Sequence, residues 1–255
     1  KSHITHSKLS KEDIAKLNLG QDIPMLLNVL PSVVTTSDAG AGIGYSGIRV
    51  RGVSSQSTNV TINGIPYTDA ESLGTFWVNL GDFASSVESL QLQRGVGTST
   101  NGSGAFGASI NILTDAISKE ASGEISNSFG SFNSRKHTVK FSTGLMGADA
   151  ERSRGIEIAG RLSNIESDGY VDRASSSLKS YFLQGSYVDE NTLIKAVTFG
   201  GNNVTYQSWF GIDAATLREN RTFNPAGAYE DENGNQQFYD NEVDDYRQDH
   251  YQLHW

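Results

Sequence analysis

The chain has 255 residues, of which 27 are glycine and none is cysteine. The absence of cysteine excludes a disulfide scaffold and a cysteine-ligated zinc site. The formal net charge of −9 argues against non-specific nucleic-acid binding. Only 36% of the residues are hydrophobic, and no apolar run approaches the ~18 residues of a membrane helix. This composition favours a β-rich protein with wet sheet faces, including barrel strands of about 9–11 alternating residues.

The first 35 residues are predicted to form a small α/β unit. His3–Leu9 alternates weakly in polarity, as a short strand does. Ser10-Lys11-Glu12-Asp13 has the spacing of a capping box, so a helix should begin there and end near Gly20. A second helix is predicted at about Asp22–Leu30, where apolar residues share one face and Pro31 follows.

The next segment alternates glycine-rich loops with short strands. Thr35–Gly47 is predicted to be a loop, and Ile48–Gly52 and Asn59–Ile62 are predicted to be strands. Asn63-Gly64 predicts a tight hairpin turn after the second of these strands. Ile65–Leu80 reads as a loop that carries an unusual share of aromatic residues.

Glycine is also concentrated in Arg94–Thr114, between the predicted strands Val87–Leu92 and Ala108–Leu113. Two segments, Gly42–Gly47 and Gly102–Gly107, match the G-x-G-x-x-G pattern. A dinucleotide site requires a strand before this pattern and a helix after it. Both segments lead into strand-like sequence, so we do not predict a nucleotide site. The glycine-rich run is predicted to act through backbone shape and close contact.

From about Gly123 the sequence alternates in polarity every second residue. His137–Thr143, Ile156–Leu162 and Ser180–Val188 each place apolar residues on one face and polar residues on the other. Leu193–Val204 is a further predicted strand with ambiguous faces. The pattern fits antiparallel hairpins of a membrane barrel with a wet lumen, and it fits a soluble β-sandwich almost as well.

A long acidic loop is predicted at about 206–248, before a final short strand at Tyr251–Trp255. Asp231–Asn235 resembles a calcium loop in composition, but its spacing departs from the EF-hand, and an Asn-Gly hairpin is the simpler interpretation. The sequence ends on what reads as the start of a strand, which suggests a fragment. The acids of the predicted loop region outnumber its bases Arg218, Arg221 and Arg247, and comprise Asp213, Glu219, Glu230, Asp231, Glu232, Asp240, Glu242, Asp244, Asp245 and Asp249.

No constellation of side chains predicts catalysis, a bound metal or a cofactor. The five histidines show no triad or metal grouping, and no G-x-S-x-G elbow occurs. Three arginines, Arg49, Arg51 and Arg94, lie on strands that look interior, where a guanidinium needs a carboxylate partner. They are either structural ion pairs, for example with Glu88, or latches to a surrounding structure.

Four motifs in order give the chain a recognisable pattern. Ile48–Gly52 is followed by Val60–Pro66, then by Val87–Gly95, and then by Gly104–Ile112. This series resembles the plug domain of TonB-dependent outer-membrane receptors over about residues 1–115. Asn63 replaces the usual aspartate of the family turn, and no segment matches the TonB box.

The resemblance implies a mainly β fold: an α+β plug at residues 1–117, then at residues 118–255 the first part of a 22-stranded antiparallel transmembrane β-barrel. It implies an outer-membrane receptor of a Gram-negative bacterium, in contact with TonB and outer-membrane lipid. The receptor would use the proton-motive force to take up a small chelate or macrocycle, such as a ferric siderophore, haem or cobalamin. The alternative is a surface β-rich protein that binds glycan or protein.

The resemblance also assigns roles to single residues. Two loops, Thr36–Ser46 and Tyr67–Phe76, match the outward-facing apices of the family's plug. The candidate plug–barrel latch comprises Arg49, Arg51, Glu88 and Arg94. The candidate ligand contacts are Asp38, Tyr45, Tyr67, Asp69, Phe76 and Trp77.

Overall fold

The computed structural model describes residues 6–96, 106–147 and 154–255. His3 and most of the Gly102–Gly107 segment lie outside the described residues. The N-terminal part contains two helices, α1 (Lys11–Leu17) and α2 (Ile23–Leu27). Its strands are β1 (His6–Ser10), β2 (Val33–Ser37), β3 (Ser46–Val50), β4 (Thr58–Ile62), β5 (Ile65–Pro66), β6 (Val87–Arg94) and β7 (Ala108–Thr114). Together these elements are called the N-terminal unit below.

Local sequence signals account for the turns and caps of this unit. The Ser10 Oγ accepts from the Asp13 N–H at 3.3 Å, and the Asp13 carboxylate accepts from the Ser10 N–H at 3.1 Å. This capping box begins α1, as predicted. Asn63 and Gly64 adopt φ values of 53° and 79°, which form the tight turn between β4 and β5. The predicted capping box and Asn-Gly turn are therefore confirmed.

Two boundaries differ from the sequence predictions. Helix α2 is shorter than predicted, because the chain beyond Leu27 tightens into a turn in which the Leu30 N–H bonds the Leu27 carbonyl at 2.9 Å. The predicted loop Thr35–Gly47 is partly a hairpin, because β2 and β3 pair antiparallel and leave the apex 38–45 between them. The β-branched residues of β2 favour this extended pairing.

The N-terminal unit has an apolar core between its five-stranded sheet and its helices. The sheet has the order β1-β6-β7-β4-β5, in which only β4 and β7 are parallel. Burial of the apolar side chains in this layer supplies most of the stabilisation of such a unit. The core side chains with no measurable exposure include Leu27, Ile62, Leu92, Ile110 and Ile112.

The rest of the chain forms one open antiparallel sheet of six strands, called the C-terminal sheet below. Each strand pairs with its neighbour in sequence, in the order β8-β9-β10-β11-β12-β15. The connection between β12 and β15 holds a short helix, α3 (Ala214–Glu219), and the hairpin β13 (Ala228–Glu230) and β14 (Gln236–Phe238). The six strands are β8 (Ser122–Phe129), β9 (Arg135–Ser142), β10 (Gly155–Ser167), β11 (Ser176–Val188), β12 (Leu193–Tyr206) and β15 (Val243–His254).

The two faces of the C-terminal sheet differ as the alternation predicts. The inner face lies against the N-terminal unit and is mainly polar, with a few apolar residues such as Phe182 and Phe199 that pack on it. On β12, Val197 and Phe199 are buried apolar residues of the inner face, which explains why the faces of this strand could not be assigned from sequence. The outer face exposes large apolar side chains, among them Ile125, Val139, Phe141, Ile156, Ile158, Leu162, Leu183 and Leu253.

The acidic loop is shorter and more ordered than predicted. Strand β15 begins at Val243 rather than near Tyr251, so Asp244, Asp245 and Asp249 lie on a strand. Pairing with the full length of β12 extends this strand, which overrides its low apolar content. Within the described residues, no helix is long and apolar enough to span a membrane.

Candidate functional site

A cavity of about 480 Å³ lies between the loop after β5 and the inner face of β15. Its walls carry aromatic rings from both sides: Tyr67 and Phe76 from the loop, and Tyr246 and His250 from the strand. Tyr45, at the end of the β2–β3 apex, adds a further ring. A concave site of this volume with mixed aromatic and polar walls can enclose a small organic ligand.

The loop that forms one wall is shaped by Asp69. Its Oδ1 accepts from the N–H groups of Glu71 at 3.1 Å and Ser72 at 2.7 Å. The Asp69 N–H in turn donates to the Gly74 carbonyl at 2.8 Å, which closes the loop. The bonds from Ser72 and Glu71 hold the pKa of the Asp69 carboxyl below its usual range. Asp69 is therefore charged, and it fixes the loop that presents Phe76.

Tyr67 connects this loop to the strand opposite. Its ring lies 4.9 Å from the ring of His250, between centroids, and its hydroxyl donates to Gln248 Oε1 at 3.4 Å. Asn79 Nδ2 donates to the same oxygen at 3.1 Å. Burial raises the pKa of the Tyr67 phenol, so it stays neutral and acts as a hydrogen-bond donor.

The six predicted ligand contacts fall into two groups. Tyr45, Tyr67, Asp69 and Phe76 line the cavity, and the Tyr45 hydroxyl also donates to Asp244. Asp38 and Trp77 do not line the cavity. Trp77 is only 2% exposed and belongs to the apolar core, so the expectation that it reaches ligand is corrected. Its indole completes the core below the loop.

Asp38 lies at the base of the β2–β3 apex rather than on the cavity wall. Its N–H donates to the Tyr45 carbonyl at 3.0 Å, which holds the two ends of the apex together. Burial raises the pKa of its carboxyl.

A second arrangement, the Asp82 anchor, joins the N-terminal unit to the C-terminal sheet. Asp82 lies before the turn Phe83–Ser86 with a left-handed φ of 50°, and its side chain has no exposed surface. On the sheet side the anchor contains Lys136 Nζ at 3.2 Å and Arg161 Nη1 at 3.5 Å from the carboxylate. The Thr138 hydroxyl donates at 2.6 Å, and the Ser163 hydroxyl donates as well.

The charges of the anchor favour an ionised Asp82. Burial is the largest single influence and raises the pKa of the Asp82 carboxyl, but the charges of Arg161 and Lys136 and the hydroxyls of Ser163 and Ser85 together outweigh it. The net effect lowers this pKa to about 2. A buried carboxylate with two cations and several hydroxyl donors is well satisfied, whereas either cation left alone would be costly.

Asp115 forms a second, more exposed contact between the same two parts. Its carboxylate bonds Lys11 Nζ at 2.8 Å and also contacts Lys140. Lys195 Nζ donates to the Asp115 carbonyl at 2.9 Å and to the Thr114 hydroxyl at 3.0 Å. In both contacts the N-terminal unit supplies the acid, and the sheet supplies bases.

Comparison with known proteins identifies the N-terminal unit. A family model described as TonB-dependent Receptor Plug Domain matches residues 1–109. The N-terminal unit is therefore similar to a TonB-dependent receptor plug domain, and it is called the plug below. The C-terminal sheet follows this unit in the chain and lies against it, so the predicted fold class is confirmed as a plug followed by open, barrel-type strands.

The relatives of known sequence are named as receptors. The chain is 28% identical over 129 residues to the probable TonB-dependent siderophore receptor PirA of Acinetobacter baumannii, a match that covers 47% of this chain and 17% of that one. It is 25% identical over 176 residues to the ferric enterobactin receptor of Pseudomonas aeruginosa, covering 64% of this chain and 24% of the relative. The chain therefore spans a quarter or less of each of these receptors.

Solved structures share the fold at low sequence identity. The ferripyoverdine receptor of the Pseudomonas aeruginosa outer membrane matches 99% of this chain and 31% of its own, with a TM-score of 0.68 and 14% identity. The ferric citrate transporter FecA in its unliganded form matches 86% and 34%, with a TM-score of 0.66 and 19% identity. All of these proteins are named as receptors or transporters, in agreement with the prediction that the chain is not an enzyme.

The plug residues predicted as latches do not reach the sheet in the described residues. Arg49 and Arg51 are exposed, so the expectation that they are interior is wrong; Arg49 alternates outward from β3, and Arg51 lies beyond its end at a φ of 54°. Arg94 is buried within the plug, where its Nε donates to the Pro31 carbonyl at 3.0 Å and its Nη2 to Ser7 Oγ at 2.8 Å. Glu88 lies 3.5 Å from Lys11 of the plug.

Sequence reasoning missed the residues that do join plug and sheet. Asp82 stands in a loop without a motif, and its partners are ordinary polar members of alternating strands. One signal was present: Lys136, Thr138 and Lys140 alternate on the polar face of β9, and Arg161 and Ser163 do so on β10. Three basic residues on the wet face of adjacent strands indicate that an acid lies opposite.

Proposed function

We propose that the chain is the plug and the first barrel strands of an outer-membrane receptor that imports an organic iron chelate in Gram-negative bacteria. The observation that carries the proposal is the position of a plug-family domain against the inner face of a sheet whose outer face is apolar. An apolar outer face and a polar inner face are what lipid and a filled lumen require. The naming of relatives as siderophore and ferric receptors supports the iron chelate.

The division of the chain follows from the two sheets. We place the plug at residues 1–117 and the barrel part at residues 118–255, with the acidic connection 207–242 between β12 and β15 outside the cell. This orientation is consistent with the plug apices, because Tyr45 contacts Asp244 and the Ala39 carbonyl accepts from the Tyr170 N–H at 2.8 Å. The apices and the long connection therefore lie at the same end of the sheet.

The cavity beside the apical loop is the proposed ligand site. Four of the predicted residues, Tyr45, Tyr67, Asp69 and Phe76, would form its plug wall, and the ligand would lie on their rings. Since Tyr67 and Asn79 share Gln248 across the cavity, a ligand that replaced these bonds would loosen the plug from β15. TonB, pulling on the plug with the energy of the proton-motive force, would then open a path.

The alternative, a surface β-sandwich that binds glycan or protein, has less support. A sandwich needs two facing sheets and has no use for a plug, whereas the C-terminal sheet is a single meander that faces the plug.

Uptake by cells that express the full-length receptor tests the proposal. Radioactive ferric chelates should bind to cells at low temperature and enter them on warming, and a proton uncoupler should abolish entry while it leaves binding intact. Phe76→Ala should weaken binding about tenfold through loss of an aromatic contact, and Leu73→Ala, outside the cavity lining, is the matched control. Binding of no iron chelate, or uptake that persists with the uncoupler, would contradict the proposal.

A further inference from the structure

The charge of the cavity wall carries information about the ligand. Two carboxylates, Asp69 and Glu71, lie on the wall, and that of Asp244 lies beside it, bonded to Tyr45. No lysine or arginine is among the described residues that line the cavity. Arg247 stands between the lining residues Tyr246 and Gln248 in sequence. It lies on the outer face of β15, where its Nε donates to Asp249 Oδ2 at 3.2 Å.

The chain segment beside the entrance to the cavity is also negatively charged. Between β12 and β15 the connection 207–242 holds seven acids and two bases, a net charge of −5. It leaves and enters the sheet at the end where the plug apices lie, so a ligand that approaches the cavity passes this connection. Charges that line an entrance raise the local concentration of ligands of opposite sign and repel those of like sign.

The other polar groups of the cavity wall suit a ligand without a large negative charge. Apart from its carboxylates, the cavity offers aromatic rings, phenol hydroxyls and the amides of Asn79, Gln248 and Gln252. Ring faces carry negative electrostatic potential and attract cations. A trianionic chelate would need guanidinium or ammonium partners, whereas a neutral or cationic chelate would need only hydrogen bonds and ring contact.

We propose that this receptor selects iron chelates of zero or positive net charge, such as ferric trihydroxamates, and discriminates against trianionic ferric tris-catecholates. This inference rests on the proposed function. Asp69 and Glu71 have different parts in it: Asp69 is tied into its loop by two backbone bonds, whereas Glu71 is exposed on the wall. Glu71 is therefore the residue that can be altered without disturbing the loop.

A charge series on one scaffold tests the inference in the full-length receptor. The probes are a linear ferric trihydroxamate with a free terminal amine (+1), its acetylated form (0) and its succinylated form (−1), together with a ferric tris-catecholate (−3). Fluorescence titration should give affinities that fall in this order, with the trianion at least about tenfold weaker than the neutral form at low salt. The difference should shrink as ionic strength rises.

Variants separate charge from shape. Glu71→Lys should reduce the preference of the +1 probe over the −1 probe by about threefold or more, and Glu71→Gln should reduce it by less. Glu190→Lys, in an exposed turn at the opposite end of the sheet, is the matched control and should leave the preference unchanged. A tris-catecholate that binds more tightly than every trihydroxamate, or a series insensitive to charge and to Glu71, overturns the inference while the proposed function stands. A receptor that binds none of these chelates contradicts the proposed function as well.

Discussion

The interior of the plug and its contact with the sheet use different physics. Inside the plug, Leu92, Ile110 and Ile112 are fully buried among other apolar side chains. At the contact, a carboxylate meets cations and hydroxyls in the Asp82 anchor. Apolar contacts accompany it, because Phe83 packs on Phe182 and Phe199 and a second cluster joins Val78 to Leu178. Apolar burial stabilises the plug as a unit, whereas water can replace much of the polar contact. We therefore expect the polar part of the contact to open before the plug core does.

Two buried charges sharpen this contrast. Among the described residues, Arg94 of the plug bonds the Pro31 carbonyl and Ser7, both within the plug, and so it stabilises the plug itself. Asp82 turns the other way and meets Lys136 and Arg161 of the sheet. Of these two buried charged residues, Asp82 is therefore the one that joins the plug to the sheet.

Removal of the Asp82 carboxylate should have the largest effect. Asp82→Ala leaves Lys136 and Arg161 buried without an acid and should weaken attachment of the plug by about 3–5 kcal/mol. Because the chain has no native cysteine, Val78→Cys, 2% exposed beside Leu178 of the sheet, can report opening of the contact through its thiol-labelling rate. Labelling should accelerate in Asp82→Ala but not in the control Glu190→Ala. Equal rates in both would contradict the anchor.

A truncation in the core should affect the plug interior instead. Leu92→Ala removes a fully buried side chain and should destabilise the plug by about 2–5 kcal/mol. A cysteine at Val60, 1% exposed in the same core, should then be labelled faster in urea. Asp82→Ala should leave labelling at this site unchanged. If Leu92→Ala and Asp82→Ala accelerate labelling at Val60→Cys equally, the plug core and its contact with the sheet open as one unit. That result would contradict the distinction between the two regions.

The distinction between the two regions can be anticipated only in part from sequence. The capping box at Ser10, the Asn63-Gly64 turn and the alternating strands are local patterns, so they predict local structure well. The anchor is non-local: the register of β9 and β10 places Ser163 opposite Thr138, and Asp82 meets both only because the plug packs against the sheet. Trp77 was misassigned for a similar reason, since an aromatic residue in a predicted loop gives no sign that its ring turns into the core.

Acid should weaken the contact more than the plug core. The pKa of Asp82 is lowered from 3.8 to about 2 in the folded protein, so its stabilisation is complete above about pH 4 and is lost as pH falls through 2. The loss amounts to roughly 2.5 kcal/mol. Labelling at Val78→Cys, measured with an acid-tolerant disulfide reagent, should rise over this interval in the native sequence. In Asp82→Ala the rise should be absent, and an identical rise in both would rule out Asp82 as its source.

The smallest effect is expected at the arginines that the sequence offered as candidate latches. Arg49→Gln changes an exposed side chain, so it should alter plug attachment by less than about 0.5 kcal/mol. Labelling at Val78→Cys should be as fast in Arg49→Gln as in the protein that carries Val78→Cys alone. Labelling as fast as that in Asp82→Ala would show that Arg49 does hold the plug to the sheet.

A double-mutant cycle between Asp82→Ala and Arg161→Met tests the central claim most directly, because it isolates the pair that joins plug and sheet. All four proteins carry Val78→Cys: one has no other change, two have a single substitution of the cycle, and one has both. The free energy of opening is measured from the labelling of this cysteine in each. A direct buried pair predicts a coupling energy of at least about 1.5 kcal/mol, with the double variant less impaired than the sum of the singles. Effects that add to within about 0.5 kcal/mol would show that Asp82 and Arg161 act independently, and would contradict the account.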